Sequence, residues 1–144
     1  MFSVSSKTQY GIRALIHLAR RDQGQKGGGC SGLGSLATTA EIAAAENISP
    51  KYLEGIMTQL KMAGILEAER GKGGGYKLAR DPSKIRMLDI VETLEGEVIP
   101  VSCVGNSELC AMGKTCLPRR FWVGLKGAVD QYLGSKTLKD VMDA

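Results

Sequence analysis

Three of the four cysteines, Cys103, Cys110 and Cys116, fall within 14 residues as Cys-x6-Cys-x5-Cys. The stretch also holds Gly105, Asn106, Ser107 and Gly113. It reads as a loop able to bend several sulfurs round one centre, so a metal ion or a cluster is one use of the thiols. The plainer alternative is two unrelated surface thiols and one buried one. Cys30 stands apart in a glycine-rich stretch and reads as an exposed bystander. Two disulfides are not expected, because the chain shows no export signal and is large enough to need no covalent staples.

A second glycine-rich run, Gly71-Lys-Gly-Gly74, invites a phosphate-cradle reading. No Walker lysine-serine pair or Rossmann spacing accompanies it and no helix follows, so a nucleotide site is discounted. The single histidine, His17, lies one position off the apolar stripe of a helix and reads as a packed or solvated helix residue, not a ligand. With one histidine no Ser/His/Asp set can be built, and no carboxylate pair stands out from the solvated helical faces, so an enzyme is not expected. Charge is more informative: residues 1–86 hold 13 basic and 7 acidic side chains, and residues 87–144 hold 6 and 8. An anionic partner should therefore bind the N-terminal part.

The elements that must position these groups follow from periodicity. Ile12, Leu15, Ile16 and Ala19 mark a first helix over Tyr10–Arg21, capped near Ser5 or Ser6. A glycine-rich insertion follows over 22–36. Thr38 caps a short alanine-rich helix that stops at Asn47. Ser49 as cap and Pro50 at the first helical position open a second helix with apolar positions 53, 56, 57 and 60, ending on Gly64. Two such helices, joined by about three residues, match a helix-turn-helix. Alternating residues on either side of Gly71–Gly74 predict a β-hairpin, a basic wing. Another helix runs from Met87 to Leu94. After the cysteine loop, Pro118 opens a last helix whose Phe121, Trp122, Leu125, Val129, Tyr132 and Leu133 recur at three and four residues. That stripe predicts packing against a second subunit, core packing being the alternative.

The fold class is thus mainly α with a small β-hairpin wing: a winged helix-turn-helix over 1–98, a cysteine-rich loop over 99–118, and a dimerisation helix and tail over 119–144. The length of 144 residues fits one domain with an appendage, and 43% hydrophobic with 24% charged residues is ordinary for a soluble protein. No apolar run approaches a membrane span and the N-terminus has no signal-peptide apolar region, so a cytoplasmic location without membrane contact is expected.

Residues Thr39–Val91 strongly resemble the winged-helix repressor family that includes IscR, NsrR, RirA and CymR. The resemblance lies in Glu41-Ile-Ala43, Ile48-Ser-Pro-Lys-Tyr-Leu-Glu54, the Leu60–Gly64 helix end, Arg70-Gly-Lys-Gly-Gly-Gly-Tyr76, Leu78-Ala-Arg80 and Asp89-Ile-Val91. It extends to Ser6-Lys7 and Tyr10 at the front and to Cys116-Leu117 and Trp122 at the back. It implies a homodimer on a palindromic operator in double-stranded DNA. Ser49, Lys51, Tyr52 and Glu54 would face the major groove, with Glu54 a specificity residue or else merely a solvated acid. Arg70 and Lys72 would enter a narrow minor groove, while Gly71, Gly73, Gly74 and Gly75 let the wing backbone approach phosphates. Lys7, Arg13 and Lys77 are candidate additional phosphate contacts.

The same resemblance makes Cys103, Cys110 and Cys116 ligands of an iron-sulfur cluster, 4Fe-4S or 2Fe-2S, because cluster-free relatives such as CymR do not show the trio. In IscR a histidine lies three residues after the last cysteine, where this chain has Arg119. Other relatives take an acid from the partner's first helix, where this chain has Gln9, a weak ligand at best. An iron open in this way would be labile toward nitric oxide, oxygen or chelation, closer to NsrR-like and RirA-like sensors. The first cysteine spacing is one residue longer than in IscR and NsrR. A cluster-free thiol-redox regulator and an iron-sulfur electron-transfer protein are the alternatives.

Overall fold

The first helix, α1 (Ser6–Gln25), forms round an apolar face of Ala14, Leu15, Leu18 and Ala19, all buried, with Ile12 and Ile16 packed at its margins. The computed structural model to which it belongs describes residues 3–25 and 36–144; Cys30 and most of the glycine-rich insertion lie outside them. The helix continues past Arg21, where the sequence predicts a loop, because Asp22, Gln23 and Gln25 tolerate helix and Gly24 meets no neighbour. Its start is served from a distance. The Ser5 backbone amide and hydroxyl donate to one Glu95 carboxylate oxygen at 2.7 and 2.6 Å. This places an acid at the positive end of α1, and the Ser5 hydroxyl, first among several donors, holds the Glu95 carboxyl below the usual carboxylate range. The stabilisation is present at neutral pH and is lost as pH falls through that depressed value.

Helix α2 (Thr39–Glu46) begins with a reciprocal cap. The Thr38 hydroxyl accepts from the Glu41 amide at 3.1 Å, and the Glu41 carboxylate accepts from the Thr38 amide at 2.9 Å. Thr38→Ala is expected to lower stability by about 1 kcal/mol, read as a shifted denaturation midpoint at unchanged slope. Asn47 ends α2 in the left-handed region (φ 53°), and α3 (Pro50–Met62) follows with Leu53, Ile56, Met57 and Leu60 buried. Gly11 lets α1 lie flush on this layer, since a Cβ there would run into Leu94 and press on Ile56.

Strands β1 (Leu66–Glu69) and β2 (Gly75–Leu78) pair antiparallel with Leu66 opposite Leu78 and Glu69 opposite Gly75. Ala37 extends this sheet by exchanging backbone hydrogen bonds with Tyr76 at 2.8 and 3.0 Å. The segment entering α2 is thereby tied to the base of the hairpin. A 3-10 turn at Pro82–Lys84 leads to α4 (Met87–Glu95), which buries Met87, Ile90, Val91 and Leu94 against α1 and α3. Each such side chain contributes about 1.5–3 kcal/mol through burial.

A short helix, α5 (Ser102–Gly105), precedes α6 (Leu117–Ser135) and α7 (Leu138–Met142). The sequence leaves the residues after 135 as a tail. In the structure they return to the body: Leu138 is fully buried, its amide donates to the Ile85 carbonyl at 2.8 Å, and the Met87 amide donates to Lys136 at 2.8 Å. A capping box of Thr137 and Asp140 starts α7. Among the described residues no helix is long and apolar enough to cross a membrane.

The apolar stripe of α6 proves to be two stripes. Trp122, Val129 and Leu133 are half-buried on the side toward the body, where Leu133 packs on the core and Lys126 bonds Glu97 at 3.0 Å. Leu117 (71% exposed), Phe121 (66%) and Tyr132 (64%) line a different face, with Gly124 and Ala128 between them. Leu125 lies on the boundary. The core-packing alternative therefore holds for Leu133, and the second set is free to meet another molecule.

Candidate nucleic-acid interface and cysteine loop

Helix α3 turns Ser49, Lys51, Tyr52 and Glu54 outward near its N-terminus, all exposed. Ser49 precedes the helix as expected, yet its side chain makes no cap hydrogen bond. Pro50, which has no amide hydrogen, already removes one of the orphan donors such a cap would serve. The Tyr52 ring is braced edge-on against Tyr10 of α1 at 6.0 Å, and Arg13 lies over the Tyr10 ring at 5.7 Å. Arg13 is itself engaged, donating to the Glu46 carboxylate at 2.9 Å and the Glu46 carbonyl at 2.7 Å. It ties α1 to the end of α2, so a phosphate would have to compete with Glu46 for it. His17 lies on the same seam, its Nδ1 at 3.6 Å from Glu46.

Farther along α3 the exposed residues include Gly55, Thr58 and Gln59, none singled out by sequence reasoning, with Lys61 and Met62 (83% exposed) at the helix end. The Thr58 hydroxyl donates back to the Glu54 carbonyl at 2.9 Å. Gly55 sits inside the helix, where glycine costs about 0.5–1 kcal/mol relative to alanine, and a Cβ there would meet nothing. That mismatch is a signal visible in the sequence: a glycine interrupting a run of good helix formers.

On the wing, Arg70 and Lys72 are exposed at the tip on either side of Gly71 (φ 97°), which with Gly73 (φ 79°) is in the left-handed region. Gly74 and Gly75 have reasons inside the fold. A Cβ on Gly74 would strike the Glu69 carbonyl, and one on Gly75 would lie 2.6 Å from the Ala37 carbonyl. Lys77 is paired with Glu69 at 3.0 Å and Glu67 at 3.8 Å, the Glu69 hydrogen bond chiefly raising its pKa, so a phosphate would have to compete with these acids for it. The unspent cations of the wing are thus at its tip. Arg70→Ala is expected to weaken DNA binding most at A·T-rich sites with a narrow minor groove, as measured by gel shift over a sequence series; equal affinity throughout would remove the wing from the interface.

The three clustered thiols are free and half-buried. Cys103 lies in α5, Cys110 follows a 3-10 turn at Ser107–Leu109, and Cys116 immediately precedes α6. Arg119, at the position of the expected histidine, donates from Nε to the Cys103 carbonyl at 3.0 Å, joining the first turn of α6 to the first cysteine. Gln9, on the first turns of α1, donates its amide to the Val4 carbonyl at 3.3 Å. Thiolates suit iron chemically, but among the described residues no three His, Cys, Asp or Glu side chains converge as round a metal ion. The donor types fit a cluster, whereas the positions would require the loop to close.

An outward helix face followed at once by a cationic wing tip is the surface of a winged-helix DNA-binding regulator. Residues 4–144 match the model of the Rrf2 family, described as iron-dependent transcriptional regulators. The chain belongs to that family. It is 35% identical over 141 residues to the HTH-type transcriptional regulator IscR of Cereibacter sphaeroides, covering 96% of this chain and 86% of the relative. To CymR of Bacillus subtilis it is 33% identical over 138 residues, 96% of this chain and 88% of the relative. The solved structure of that CymR, the global cysteine regulator of B. subtilis, matches with a TM-score of 0.76 at 30% identity, covering 99% of this chain and 98% of the other. The oxidized form of Staphylococcus aureus CymR gives a TM-score of 0.72 at 29% identity, covering 99% and 98%. These relatives are transcriptional regulators, so the non-enzymatic expectation holds and the electron-transfer alternative gives way.

Proposed function

We propose that the chain is a homodimeric repressor of a palindromic operator whose affinity is set by an iron-sulfur cluster on Cys103, Cys110 and Cys116. The observation that carries the sensing half is the position of the thiols: they occupy the connection between the winged-helix body and α6, and Arg119 hooks α6 to the Cys103 carbonyl. Chemistry that rearranges the loop therefore acts on the helix whose outer face is available for a second subunit. Ser49, Lys51, Tyr52, Glu54, Arg70, Lys72 and Gly73 make the DNA contacts, and Gly74 keeps the wing compact beneath them. A cluster would supply a group sensitive to nitric oxide, oxygen or iron loss. Its remaining ligand position would be open or weakly held by Gln9 of the partner subunit, since Arg119 supplies no ligand of the histidine kind.

Anaerobic purification tests this directly. A brown protein containing iron and sulfide, whose holo and apo forms differ several-fold in operator affinity at matched salt, is the expected result. Tighter binding by the holo form is the expected direction. Equal affinity of the two forms would leave a DNA-binding protein that is no sensor. A colourless, iron-free protein would favour the second reading, a thiol-redox regulator, which draws support from the separation of the three thiols and the likeness to an oxidized CymR.

A further inference from the structure

Glycine inside a helix weakens it, because the chain loses more freedom on ordering and exposes more backbone than with alanine. Such a residue is expected where a neighbour needs the space. Gly11 of α1 meets that expectation, since a Cβ there collides with Leu94. Gly55 of α3 does not: its backbone is outside the left-handed region, and a Cβ would have nothing within 4 Å. Nothing within the described residues requires glycine at this position.

The surroundings of Gly55 indicate what does. Its neighbours three and four residues away, Lys51, Tyr52, Thr58 and Gln59, are all exposed, whereas Leu53, Ile56, Met57 and Leu60 take the buried side. Gly55 therefore stands at the crest of the outward face, ringed by the side chains best placed to touch DNA. An α-helix with its side chains is about 10–12 Å across, and the major groove is about 12 Å wide, so depth of insertion is limited by whatever projects from the crest. We infer that Gly55 is the point of closest approach between the recognition helix and the duplex. Its missing side chain lets the helix axis sit deeper, so that Lys51 and Tyr52 on one turn and Gln59 on the next reach the groove together. The inference rests on the DNA-binding reading and assigns that surface a residue that acts by having no side chain.

Stability and recognition then move in opposite directions. In the full-length, anaerobically purified protein, Gly55→Ala is expected to raise Tm by about 2–4 °C, since the added methyl group favours helix and touches nothing. The same variant is expected to lose on the order of tenfold in affinity, the scale of one direct base contact, for the duplex that wild-type protein recovers from a random-sequence library. Gly55→Gln, with a longer side chain, should lose more. A more stable Gly55→Ala protein that binds the recovered duplex as wild type does would overturn the inference. So would a destabilised one, because the space above Gly55 would then not be free. Failure of wild-type protein to recover any duplex would instead remove the DNA-binding reading on which it stands.

Discussion

Alanine at any one of Cys103, Cys110 or Cys116 is expected to yield a colourless protein whose operator affinity no longer responds to oxygen, nitric oxide or iron chelation. Three thiolates are the minimum this chain offers a cluster, with Arg119 engaged at the Cys103 carbonyl and Gln9 a weak donor, so no ligand is spare. Each variant should therefore lose the visible spectrum completely rather than by a third, and should sit permanently at the affinity of the apo protein. The loss corresponds to about 1–3 kcal/mol of coupling between loop and operator. Cys30→Ala should leave spectrum and response intact. Titration of DNA against each variant, alongside absorbance and iron content, checks the result. A thiol switch behaves differently: it uses one reacting thiol or a pair, so at least one of the three replacements would be silent.

The second large effect concerns the exposed stripe of α6. Phe121→Glu or Ala128→Glu is expected to give monomers that bind a two-half-site duplex at least 100-fold more weakly, because the second half-site is no longer delivered at high effective concentration. Neither residue faces the body, so the monomer should keep its helical content and its affinity for a single half-site. Val129→Glu is the contrasting variant. It places a charge on the half-buried side of α6, toward the body, and should lower stability before it affects assembly. Sedimentation that still finds a dimer for Phe121→Glu would move the interface elsewhere.

Local chemistry made much of this molecule legible from its sequence. Thr38 with Glu41, Asn47, Pro50 and the glycines of the wing each act within a few residues, so their consequences could be placed before any tertiary contact was known. What escaped was decided at longer range. Helix α1 takes the cap at its start from Glu95, which is 90 residues from Ser5. Residues 136–144 fold back because Leu138 finds a buried place beside Ile85, which no periodicity in a five-residue helix announces. The α6 stripe was visible as apolar, but which half faces inward depends on α4. At the site, Lys51, Tyr52, Arg70 and Lys72 were identifiable from type and spacing. That Arg13 and Lys77 are already paired follows only from where Glu46, Glu67 and Glu69 lie.

Helix α6 is held at both ends: by Arg119 at the cysteine loop and by the Leu138 anchor just beyond Ser135. The two attachments differ in strength, one being a single side-chain hydrogen bond and the other a fully buried leucine flanked by backbone hydrogen bonds. With Leu133 also packed on the core and Lys126 paired with Glu97 along its length, the helix is a lever whose firm fulcrum lies toward its far end. Its 19 residues span about 28 Å. A tilt of about 5° about Leu138 thus carries the Cys116 end through about 2.5 Å, by the same rise per residue. Such a stroke is comparable to the depth by which a side chain gains or misses a base edge, and in a symmetric pair both levers would move at once.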